Sequence, residues 1–160
     1  MHHKAMIKST IDSISNKIFS TLELPKYFNV LDRELAHDNW IASIKPEWRV
    51  HKVYVARDVL LHRKNCALFI VSITFCDDII GCSGPSWLRG VDYAGSPYIE
   101  DYIDYNDGDI SKKIKDFIFM TTKCVIDHEH LLRVNHNRKW VKNFNWLKNW
   151  FNNYIDESGI

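Results

Sequence analysis

The sequence predicts an α+β domain with a small, mostly antiparallel sheet centred on residues 66–75 and amphipathic helices at both chain ends. Three observations predict it. Residues 65–75, NCALFIVSITF, are the most apolar run, and β-branched or aromatic residues fill most of it. Ile7, Ile11, Ile14, Ile18 and Leu22 recur at helical spacing near the start. Trp140, Phe144, Leu147, Phe151 and Tyr154 form a stripe of the same period near the end. The central run is too short to span a bilayer, and its composition predicts a strand buried on both faces.

Length and composition bound the rest. The 160 residues suit one domain, 1–160, able to bury a sizeable core. Hydrophobic residues at 46% and charged residues at 26% are the balance of an ordinary globular protein. The formal net charge of +1 gives no global field to draw the chain onto nucleic acid or an anionic membrane. Four cysteines stand at 66, 76, 82 and 124, three of them in or beside the apolar run. A chain of this size needs no staples, so they read as reduced thiols. With no apolar leader and no membrane segment, the expectation is a cytoplasmic protein.

In order, the first helix covers about residues 5–22, and Pro25 ends it. A second helix is expected just after Pro25, with Tyr27, Phe28, Leu31 and Leu35 on its inner face, continuing through Trp40 and Ile44 to Pro46. Residues 48–64 fit neither template: Val53, Tyr54 and Val55 favour a strand, while residues 56–63 suit a helical turn. Asp77-Asp78 reads as a turn into a short second strand over residues 79–82. Residues 83–97, SGPSWLRGVDYAGSP, hold three Gly and two Pro and read as loop. Residues 98–105, YIEDYIDY, suit an edge strand or a short helix, and residues 106–109 a turn. Asp109 or Ser111 then caps a helix carrying Ile110, Ile114, Phe117, Ile118 and Cys124 inward. Residues 128–136 break the pattern, and Asn137 caps the last helix, with Trp146 and Trp150 on a second stripe.

Several constellations bear on function. Tyr98, Glu100, Asp101, Tyr102, Asp104, Tyr105, Asp107 and Asp109 alternate tyrosine with carboxylate, which suits a contact surface for a basic protein, joined by Trp87 and the loop to Tyr93. The bland alternative is a solvated edge whose charges discourage aggregation. Their spacing is not that of a calcium loop. Cys124, His128, His130 and His136 lack the spacing of a zinc motif and read as a polar helix connection; no cofactor or metal is expected. Arg138, Lys139, Lys142 and Lys148 between Trp140, Trp146 and Trp150 fit solvent positions of an amphipathic helix better than a base-stacking platform.

Two family resemblances are present. Arg57-Asp58-Val59-Leu60-Leu61-His62 resembles the R-x4-H motif of the HEPN ribonucleases. That resemblance implies an all-helical bundle and metal-independent RNA cleavage by Arg57 and His62. Asp38-Asn39-Trp40-Ile41-Ala42-Ser43-Ile44, with Asn65-Cys66-Ala67-Leu68-Phe69-Ile70-Val71-Ser72-Ile73, resembles the N-terminal half of some immunity proteins of contact-dependent growth inhibition systems. That resemblance implies a cytoplasmic protein whose partner is a cognate toxin domain, often a basic nuclease, blocked by occlusion of its active site. It brings no catalytic residues.

Overall fold

The structure, a computed structural model, describes residues 6–30, 45–56, 67–86, 91–93, 98–128, 132–134 and 145–158. Strands β1 (Phe28–Val30), β2 (Arg49–Ala56), β3 (Ala67–Phe75), β4 (Ile80–Ser86) and β6 (Ile99–Ile103) form one antiparallel sheet in the order β1-β2-β3-β4-β6. Between β4 and β6 the chain makes β5 (Val91–Tyr93), which pairs with β7 (Leu132–Val134) in a separate two-stranded sheet. The helices are α1 (Lys8–Thr21), α2 (Ile110–Asp127) and α3 (Asn145–Ser158).

β3 holds the middle of the sheet because its β-branched and aromatic side chains fit a pleated surface better than a helix. Its alternation is sharp. Phe69, Val71, Ile73 and Phe75 are fully buried, while Ile70, Ser72 and Thr74 are only half-buried. The strand is therefore closed on one face, and the expectation of two buried faces is corrected. The register carries that face sideways: Val53 lies beside Val71, Val55 beside Phe69, Cys82 beside Ile73 and Ile80 beside Phe75.

The helices cover this face. α1 contributes Ile11 and Ile18, α2 contributes Ile114, Phe117, Ile118, Val125 and Ile126, and α3 contributes Leu147 and Phe151, all in one buried cluster with the strands. Burial of such apolar area, about 25 cal/mol per Å², is the main force holding helices to sheet. Asp12 of α1 forms an ion pair with Arg49 at the start of β2. His51 is buried with its ring stacked on Phe19 at 4.3 Å and edge-on to Phe75.

The stretch after Pro25 differs from its expected helix. Tyr27 takes a left-handed backbone, φ 82°, and residues 28–30 pair with β2. Leu31, Leu35, Trp40 and Ile44 lie outside the described residues. The ring of Tyr27 packs edge-on against Trp146 at 4.9 Å and Trp150 at 5.0 Å. Both tryptophans are half-buried against the core, so this part of the aromatic surplus is spent on packing rather than on a platform. Trp140 lies outside the described residues.

The glycine-rich stretch is also corrected. Residues 83–86 continue β4, and residues 91–93 are β5. Gly84 is required where it stands: a Cβ there would meet the Ile70 carbonyl oxygen at 3.3 Å and the Val71 Cα at 3.4 Å. The β3–β4 register shifts between Ile70 and Ser72 at this place, so strand β3 comes too close for a side chain.

Candidate protein interface

The acidic, tyrosine-bearing stretch begins at Tyr98 and continues along β6, one of the two edge strands of the five. Its inner side pairs with β4, Ile80 to Ile103, Gly81 to Tyr102, Cys82 to Asp101, Ser83 to Glu100 and Gly84 to Ile99. Alternation sends Ile103 into the helix-covered core, where it is buried, and puts Glu100 and Tyr102 on the opposite face. Tyr98 is 54% exposed and Tyr102 61% exposed, with Glu100 and Asp101 exposed between them. Asp101 has the parity of Ile103 but lies out at the rim, and its Oδ1 accepts the Tyr102 backbone N–H at 2.8 Å.

After Ile103 the same composition serves a different purpose. The Tyr105 hydroxyl donates to the Cys76 carbonyl, 2.5 Å away in the β3–β4 turn. Burial, with the nearby thiol and the carboxylates of Asp77 and Asp78, pushes the Tyr105 phenol well above its ordinary range. Asp104 Oδ1 accepts the Asn106 N–H at 2.8 Å, and the Asp104 N–H donates to Asp107 Oδ2 at 3.1 Å. Asp107 also pairs with Lys113 at 3.1 Å, whose hydrogen bond holds that carboxyl below its usual range. Asp109 caps α2, accepting the Lys112 N–H at 3.2 Å from a left-handed backbone, φ 52°. These carboxylates close a turn and start a helix.

The expected surface therefore divides. Glu100, Asp101 and Tyr102 come together on the exposed strand with Tyr98 directly before it; Tyr105 turns inward, and Asp104, Asp107 and Asp109 serve the backbone beside it. Trp87 and residues 88–90 lie outside the described residues, and residues 91–93 belong to the second sheet. Two residues missed in the sequence matter here. Gly81 and Ser83 of β4 stand opposite Tyr102 and Glu100 and leave space beside them. A glycine inside an apolar strand is the signal that could have marked the first.

Other candidates are placed as follows. Cys124 Sγ is 3.7 Å from His128 Nδ1, and that nitrogen lies 2.9 Å from the Cys124 carbonyl oxygen, one turn of helix apart. Among the described residues no third ligand joins them; His130 and His136 lie outside. Burial, reinforced by Asp78 and Asp77, pushes the Cys76 thiol up to about 11, and burial with Asp101 pushes Cys82 up to about 12. Both remain protonated at neutral pH and are poor nucleophiles. Arg57 and His62 lie outside the described residues, and β3 directly after them belongs to a sheet rather than the all-helical bundle that the HEPN resemblance implies. Among the described residues no helix is long and apolar enough to cross a membrane.

No protein-family model, curated protein or solved structure matches the chain.

Proposed function

We propose that this chain is a binding protein that acts by occlusion: in the cytoplasm it docks on a basic partner through β6 and covers the partner's active site. The resemblance of residues 38–44 and 65–73 to immunity proteins of contact-dependent growth inhibition systems gives the partner its class, a cognate toxin domain of nuclease type. One observation carries the reading. Glu100, Asp101 and Tyr102 stand exposed on an edge strand, held in place by its pairing with β4 and the buried Ile103, with exposed Tyr98 directly before it. Tyrosine supplies contact area at low entropic cost, and clustered carboxylates steer a basic partner into place.

The test is affinity capture from the native cell extract, with a salt titration and mass spectrometry. A single stoichiometric basic protein, released by salt, is expected. A variant carrying both Glu100→Lys and Asp101→Lys should lose it, and the wild-type chain should block the partner's nuclease activity in a purified assay. Capture unchanged by the double reversal would overturn the reading. So would recovery of RNA alone, after which Arg57→Ala and His62→Ala would be assayed for loss of RNA cleavage.

A further inference from the structure

By the twofold alternation of a strand, Glu100 and Tyr102 fall on one side of β6, about 7 Å apart, and Tyr98 directly precedes the strand. The result is a carboxylate with a tyrosine before and after it. Beside them β4 offers only Ser83 and Gly81. A Cβ on Gly81 would sit 3.9 Å from the Tyr102 ring, so that ring rests over a position without a side chain. The backbone edge is less open. Because the Tyr102 N–H donates to the Asp101 carboxylate, a strand adding to β6 would first have to displace it; a charged side chain on an edge strand is a common guard against such pairing. Approach through the side chains does not require that bond to break.

We infer that Glu100 and Tyr102, two positions apart on one side of β6, form a clamp for an arginine side chain of the basic partner. The inference rests on the proposed binding role and names the group that role recognises. A guanidinium is planar and donates in a fork, so it can bond Glu100 while one face lies against the Tyr102 ring. A lysine ammonium gains the carboxylate as a point charge but has no flat face to lay on that ring. The clamp thus selects among basic surfaces, where the carboxylates alone would attract any of them.

The test titrates the isotope-labelled full chain by NMR with two capped pentapeptides, one holding two arginines separated by glycine and the other two lysines. Amide shifts should centre on residues 81–83 and 98–102. The arginine peptide should bind about threefold more tightly than its lysine twin. Glu100→Gln should weaken it about fivefold, the scale of an exposed ion pair, and Tyr102→Ala about threefold. Glu157→Gln, which removes an exposed carboxylate on α3, should change nothing. If Tyr102→Ala disturbs the fold, Tyr102→Leu keeps the bulk and removes the aromatic face. Equal affinity for the two peptides, or equal loss in Glu100→Gln and Glu157→Gln, would overturn the clamp. Should the Glu100/Asp101 reversal still abolish partner capture in that case, the inhibitor reading stands without the clamp. Arginine selectivity with partner capture unaffected by the reversal would leave the clamp and remove the inhibitor reading.

Discussion

Residues 98–102 and 103–109 have nearly the same composition and opposite uses. Both halves carry tyrosine and carboxylate. In the first, Tyr98, Glu100 and Tyr102 are exposed, and the strand holds the last two on one face. In the second, Ile103 is buried, Tyr105 bonds the Cys76 carbonyl, and Asp104, Asp107 and Asp109 accept backbone N–H groups or pair with lysine. A cluster of acidic residues is thus two things in one stretch: a foundation and a surface standing on it. Mutations should separate them, with large stability costs in the second half and almost none in the first.

The largest effect is expected at Ile103. It is 4% exposed and packs into the main core next to Ile80. Ile103→Ala should cost about 2–4 kcal/mol in denaturant unfolding, the usual range for truncating a buried aliphatic. A cost below about 1 kcal/mol would mean that β6 is not anchored as described. Tyr105→Phe should come next, at about 1–2 kcal/mol, because it leaves the Cys76 carbonyl without that donor. It has a pH signature as well. The phenol is raised in the folded state, so its contribution is fully present below the ordinary tyrosine value of 10.0 and is lost as pH rises above it. Wild type and Tyr105→Phe should therefore converge in stability at strongly alkaline pH.

Asp109 tests the cap. Asp109→Ala should cost about 1 kcal/mol or somewhat more, since it removes the acceptor for the Lys112 N–H and puts a Cβ residue without a local hydrogen bond at positive φ. Asp109→Asn keeps the acceptor and tolerates that backbone, so it should recover most of the loss. Asp107 tests the ion pair with Lys113. Its carboxyl is lowered in the folded state, so the pair stabilises above the ordinary value of 3.8 and its contribution disappears as pH falls through the lowered one. Asp107→Asn should flatten the acid limb of the stability curve and leave the alkaline limb unchanged. The carboxylate side chain is 36% exposed, and added salt should shrink the difference.

Much of this frame was legible in the sequence. The antiparallel sheet centred on residues 66–75 and the three helices follow from period and composition, because long amphipathic repeats and β-branched runs are strong local signals. β1 was not legible. Phe28 reads as a helical inner-face residue, but pairing with β2 and the packing of Tyr27 between Trp146 and Trp150 decide its conformation, and all of those partners are distant in sequence. Gly84 and Pro85 suggest a loop until the close approach of the Ile70 carbonyl is known. In the acidic stretch, simple parity already separates Tyr105, on the side of Ile103, from Tyr98 and Tyr102. The roles of Asp104 and Asp107 depend on how the turn closes, which composition does not encode.

The smallest stability effect should lie at Glu100, and there the contrast between the two halves is most open to refutation. Glu100 is exposed, opposite Ser83 on a paired strand, with no part in the turn or the helix cap. Glu100→Gln should change unfolding free energy by less than about 0.5 kcal/mol, the range of a surface substitution away from caps and cores. The same change should weaken binding to the basic partner and lower its salt sensitivity slightly, since one steering charge is removed. Stability and affinity measured on one preparation decide the matter. A variant that loses stability without losing affinity would place Glu100 with the foundation, and the surface would shrink to its two tyrosines.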